Sequence, residues 1–147
     1  MYRRILVPLD GSETAECSLE HVKDIAKGCN VPQVDLLFVV EPVSSGLYQS
    51  AVEVKENLLA FGNDYLAKII KYLRTEGIAA GSIILEGKPA ETIIDYAVKN
   101  DVDLIIMSSH GRSGPSRWAF GSVADKVVRS SVVLVLISVP KGCRIAG

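Results

Sequence analysis

Val34 to Val40 reads VDLLFVV, six apolar residues in seven, with Asp35 the one exception. A strand with one wet face alternates apolar and polar residues. A near-continuous run is what a strand buried on both faces requires, as in a parallel sheet covered by helices. The segments on either side agree. Upstream, Glu13 to Cys29 carries Ala15, Leu19, Val22 and Ala26 at helical spacing, and Ser12 stands where an N-cap belongs. Downstream, Ala51 to Glu76 repeats Leu58, Phe61, Tyr65, Leu66, Ile69 and Leu73, and Gly77 closes it.

The alternation continues to both ends. Arg4–Leu9 (RILVPL), Ser82–Glu86 (SIILE), Asp103–Ser108 (DLIIMS) and Val132–Val139 (VVLVLISV) read as further strands. Ala90 to Asn100 and Ser122 to Ser130 read as further helices, and Gly87-Lys88-Pro89 as a turn. Strands alternating with helices pair in parallel through right-handed crossovers. The expected fold is α/β: one open, doubly wound five-stranded parallel sheet with helices on both faces, in a single domain over residues 1–147. In such sheets ligands bind beyond the carboxyl ends of the strands, where the strand order reverses. The loops at that end begin at Asp10, Glu41, Gly87 and Ser109.

Bulk properties exclude several classes. The formal net charge is -1, from 16 basic and 17 acidic residues, so there is no global basic footprint for nucleic acid. No run approaches the roughly 18 apolar residues of a membrane span. MYRRILVPLDGS is too short for a secretory h-region and lacks a small-residue cleavage site, so a cytoplasmic protein is expected. Cys17, Cys29 and Cys143 are odd in number and far apart, so neither a disulfide framework nor a zinc site is expected.

The fourth βα connection is the chemically suggestive one. Ser108 to Val123 reads SSHGRSGPSRWAFGSV. A βα loop of two to six residues is usual, and this one is longer. It ends on Gly121-Ser122 at a helix start, where unpaired N–H groups and the helix dipole favour an anion. Gly121 admits a phosphate oxygen, and the Ser122 hydroxyl can donate to it. Gly111 is expected in a left-handed conformation that turns N–H groups inward. From Arg112 to Arg129, four basic residues face the single acid Asp125. Other motifs fail. Gly81 to Lys88 has one residue too many for a Walker A loop, and Pro89 replaces its Ser/Thr. No G-x-G-x-x-G or G-x-S-x-G occurs. A Ser-His-Asp triad around His110 lacks a positioned nucleophile.

Ser108-Ser109-His110-Gly111, nine residues, then Gly121-Ser122 resembles the G-x-x-G, nine residues, G-[S/T] pattern of the nucleotide-binding universal stress proteins. Ile5 to Ser12 (ILVPLDGS) is similar to that family's opening strand and aspartate, and Phe38 to Pro42 to its second strand. The resemblance covers nearly the whole chain. It implies a strand order of 3-2-1-4-5, and a cytoplasmic ATP-binding protein acting as a dimeric switch or sensor in the stress response. It places adenine near Asp10 and Val39, ribose near Pro8 and Ser108, and phosphates on Gly111, Gly121, Ser122 and Val123, with Arg112 adding charge. Mg2+ or Mn2+ would bridge the phosphates. Hydrolysis would be slow or absent, at most a weak ATPase, because no residue stands ready to activate water. The last strand, Val132–Val139, would pair across a two-fold axis in a homodimer.

Ser108 departs from the pattern, since the family has glycine there. If position 108 requires a left-handed backbone, serine costs about 1–2 kcal/mol, a roughly five- to thirtyfold loss of affinity. The alternative reading is therefore a dimeric interaction module of the same family that binds no nucleotide.

Overall fold

The computed structural model describes residues 1–42, 48–111 and 120–140. In chain order it contains β1 (Arg4–Pro8), α1 (Glu13–Glu16), α2 (Leu19–Gly28), β2 (Gln33–Val40), α3 (Tyr48–Thr75), β3 (Ala80–Glu86), α4 (Pro89–Lys99), β4 (Leu104–Ser108), α5 (Ser122–Ser130) and β5 (Leu134–Ser138). The five strands form one parallel sheet in the order β3-β2-β1-β4-β5. The order reverses between β1 and β4, as expected. No described helix is long and apolar enough to cross a membrane.

Successive side chains point to opposite sides of the sheet, and helices cover both faces of its central strands. Ile5, Val7, Leu36, Phe38, Leu104 and Ile106 pack with α2 and α3 residues such as Val22, Leu66 and Leu73. Leu6, Leu37, Ile105 and Met107 pack with Ile93 and Ala97 of α4 and Ala124 and Val127 of α5. Asp35, the exception in the opening stretch, points with Leu37 to the α4 side. It is only 3% exposed, yet it accepts from Tyr96 Oη (3.0 Å) and Gln33 Nε2 (2.8 Å) and pairs with Arg4 Nε at 3.5 Å. A buried carboxylate is tolerated when its lone pairs are met in this way. Burial first, and the Asp35 hydrogen bond second, push the Tyr96 hydroxyl up to about 12.

The structure corrects two readings. Glu13 to Cys29 is two helices, not one. The Cys17 N–H turns back to Thr14 O and the Ser18 N–H to Ala15 O, both three residues away, while the buried Ser18 hydroxyl donates to Ala15 O at 2.8 Å. These tighter bonds replace the four-residue ladder and end α1. Nor are all cysteines lone thiols: Cys29 is free, but Cys17 is disulfide-bonded. Cysteine spacing says nothing about which residues a fold brings together.

Other expectations hold. Gly77 has φ +80° and closes α3, with the Ile78 N–H reaching Leu73 O at 3.0 Å. Asn30 and Asp101 adopt the same left-handed step (φ 51° and 52°) after α2 and α4. In both, the following N–H reaches back to the helix, from Val31 to Ala26 O and from Val102 to Ala97 O.

Candidate functional site

The reversal between β1 and β4 opens a cleft at the carboxyl ends of the strands. Asp10 follows β1 directly. Its Oδ1 accepts from the Ser12 N–H (3.0 Å) and the Ser12 hydroxyl (2.6 Å). That hydroxyl in turn accepts from the Ala15 N–H at 3.1 Å, which caps α1. One short segment thus fixes the carboxylate and starts the helix. Gly11, at φ +88°, makes the turn, and a Cβ there would lie 2.8 Å from Phe61 Cε1. The Phe61 ring stacks on Tyr65, with centroids 5.8 Å apart and planes 5° apart. α3 therefore supports the Asp10 turn from behind. Burial first, with the charges of Glu13 and Asp10, pushes the Glu16 carboxyl beside it above the ordinary carboxylate range, against the opposing Tyr65 hydrogen bond.

On the opposite wall, β4 ends at Ser108. The Ser109 N–H donates to Ser138 O at 2.9 Å, and the Gly121 N–H donates to Ser109 O at 2.8 Å. The second bond pins the start of α5 to the end of β4. Gly121 is the N-cap (φ -60°, ψ 157°), and among the described residues no side-chain cap bond is made to the helix start. The first-turn N–H groups of α5 have no partner within the helix, and Ser122, Val123 and Ala124 all line the cleft. A Cβ at Gly121 would stand 3.2 Å from Ser109 O and 3.5 Å from His110 Cα. A Cβ at Gly111 would collide with Asp10 Oδ2, so glycine lets the two walls meet.

The cavity between the walls measures about 850 Å³, within the range of small-molecule sites. Of the residues singled out from sequence, Pro8, Asp10 and Val39 lie on its β1–β2 side. Ser108, Gly111, Gly121, Ser122 and Val123 line the β4–α5 side. Arg112 falls outside the described residues.

Two reasons given for these residues change. Gly111 is not left-handed; among the described glycines, positive φ is found at Gly11, Gly77 and Gly87. Its requirement is steric, against Asp10. Ser108 ends β4 in register with Ser138 and is not among the positive-φ residues. The backbone cost of serine at this position is therefore absent.

Sequence reasoning missed Lys88, Glu91 and Lys126, which also line the cavity. The turn at Gly87 marked the right end of the sheet, but nothing marked the individual side chains. It also missed that the Ser109 hydroxyl and His110 Nδ1 are 2.8 Å apart. Ser109 and His110 are buried, at 1% and 7% exposed, and both line the cavity.

The model of the universal stress protein family matches residues 1–139. The chain belongs to that family. Universal stress protein MJ0577 of Methanocaldococcus jannaschii is 34% identical over 154 aligned residues, covering 93% of this chain and 94% of its relative. The solved structure of hypothetical protein MJ0577 superposes with a TM-score of 0.88 at 35% identity, covering 97% of this chain and 99% of that one. A universal stress protein solved in complex with cAMP superposes at 0.65 and 21% identity, covering 95% and 98%. At that identity the likeness shows the shared fold. Both the family and the 3-2-1-4-5 sheet agree with the sequence reading.

Proposed function

We propose that this universal stress protein binds ATP in the β1–β4 cleft and works in the cytoplasm as a homodimeric, nucleotide-dependent switch or sensor. The observation that carries the reading is the uncapped first turn of α5, opening on a cavity that also holds Asp10. Phosphates on Gly111, Gly121, Ser122 and Val123 would supply the anion that the helix start lacks. Asp10, fixed by Ser12, would accept from the base or the ribose, with Val39 against the adenine and Pro8 and Ser108 beside the sugar. Three or four charge-assisted bonds at about 1.5–3 kcal/mol each give ample affinity. Among the described residues, no group of three His, Cys, Asp or Glu converges as a metal site. A bridging Mg2+ or Mn2+ would take its oxygens chiefly from phosphates and water. Three described carboxylates line the cleft, Asp10, Glu41 and Glu91; Asp10 is held by Ser12 and Glu91 by Lys126, which leaves neither of those two poised to activate water. Calorimetric titration of nucleotide-free protein with Mg-ATP tests the reading. Micromolar binding is expected, and a titration without heat or displacement at millimolar ATP overturns it.

The non-nucleotide reading rested on Ser108, and the strand conformation at 108 weakens it. Only the hydroxymethyl volume remains as an objection. Ser108→Gly is accordingly expected to change ATP affinity by less than about threefold, since roughly 1.4 kcal/mol would be needed for tenfold. Binding that appears only in Ser108→Gly would favour the interaction module instead.

For the dimer, support comes from β5. It is one of the two outer strands of the sheet; within it Leu134 is 58% exposed, and Val132 and Val139, which flank it, are 83% and 55% exposed. An open apolar edge strand invites pairing, and a second copy across a two-fold axis would cover it. In sedimentation equilibrium the wild type is expected at twice the chain mass and Leu134→Lys at the chain mass. A monomeric wild type removes the dimer from the account.

A further inference from the structure

α4 and α5 lie side by side on one face of the sheet, and their first turns open into the same cavity. Glu91 sits in the first turn of α4. Lys126 sits on α5 four residues after Ser122, on the same helix face. Lys126 Nζ and Glu91 Oε1 are 3.1 Å apart, with side chains 55% and 56% exposed. Both residues line the cleft, as does Lys88. Neither the α5 start nor Asp10 uses this pair.

We propose that Lys126 reads phosphate number, with Glu91 holding it in reserve until a terminal phosphate displaces the carboxylate. This inference rests on the nucleotide reading of the cleft. An ion pair this exposed contributes little and is cheap to break. The terminal phosphate of ATP carries more charge than one carboxylate and offers more acceptor oxygens, so it outcompetes Glu91 for the ammonium. Lysine suits the role because its point charge rides on a flexible stem and can swing between two acceptors. A first phosphate seated at Gly121–Val123 lies a full helical turn short of Lys126. A monophosphate therefore ends before it, and a triphosphate chain extends to the rim where Lys126 and Glu91 stand. Once displaced, the Glu91 carboxylate stands near an anionic ligand and opposes it.

The two residues then have opposite effects. Lys126→Gln lowers ATP affinity about tenfold, the loss of one charge-assisted contact. Glu91→Gln raises ATP affinity about two- to fivefold, because it removes both the competitor and the repulsion. AMP affinity moves much less in either variant. The ATP effects shrink as salt rises, because the groups are solvent-facing.

The test is titration of wild type, Lys126→Gln and Glu91→Gln with Mg-ATP and with AMP at two salt concentrations. An ATP-to-AMP affinity ratio that falls in Lys126→Gln and rises in Glu91→Gln bears the inference out. Equal losses for both nucleotides in Lys126→Gln, or weaker ATP binding in Glu91→Gln, overturn it while leaving the nucleotide reading intact. A wild type that binds neither nucleotide overturns the nucleotide reading, and this inference with it.

Discussion

If the proposed ATP site is right, Gly121→Val is expected to abolish ATP binding to within measurement, a loss of at least about a hundredfold, in a protein that still folds. The backbone at 121 (φ -60°, ψ 157°) is open to valine, so no dihedral strain arises. The damage is steric and local. The first carbon alone would stand 3.2 Å from Ser109 O, and the two methyls have nowhere to go but into Ser109–His110 or the cleft. Relief requires moving α5 away from β4, which stretches the 2.8 Å bond from Gly121 N–H to Ser109 O. The first-turn N–H groups then lose their aim. Losing two charge-assisted contacts of about 1.5–3 kcal/mol each amounts to a hundredfold or more. Gly121→Ala adds only the carbon at 3.2 Å and is expected to fall between valine and wild type. Calorimetry reads the affinity, and the melting temperature confirms the fold. Full ATP affinity in Gly121→Val would move the phosphates elsewhere.

Phe38→Ala is expected to cost about 3–5 kcal/mol of stability. At roughly 2–4 °C per kcal/mol for a domain of this size, the melting point drops by roughly 10 °C. Phe38 is 2% exposed and touches three parts of α3. Its ring lies 5.9 Å from that of Phe61 and 6.3 Å from that of Tyr65. It also lies so close to Gly62 that a Cβ there would be 2.8 Å from Phe38 Cδ1. The helix backbone rests on this ring and cannot collapse easily into the space it leaves. Because Phe61 also backs Gly11, the variant should bind nucleotide several-fold more weakly even where it is folded. Urea unfolding measures the first effect. A loss below about 1 kcal/mol would mean that the α3–β2 contact is not a principal support of the fold.

Much of this arrangement was legible in the sequence because it follows from period and position. The run at 34–40 marked a doubly covered strand, and the ends of the apolar runs marked which loops share a crevice. Gly77 as the stop of α3 followed from its backbone freedom alone. The strand order came from the resemblance to universal stress proteins and not from spacing. What stayed hidden depends on distances between elements. The stripe Ala15, Leu19, Val22, Ala26 runs through the α1–α2 break without a change of period, so only the Ser18 hydrogen bond reveals it. A glycine at 111 suggests backbone freedom, yet its constraint is Asp10, about a hundred residues away in sequence. The Lys126–Glu91 pair exists only because α4 and α5 pack side by side. No sequence pattern singles it out.

The most direct measurement of the central claim is an amide NMR titration of the nucleotide-free protein with Mg-ATP. The largest shifts are expected at Gly111, Gly121, Ser122 and Val123, smaller ones at Asp10 and Val39, and none along the seam where Lys23 and Lys27 of α2 meet Tyr72 and Glu76 at the end of α3. No shifts, or shifts concentrated away from the start of α5, would contradict it.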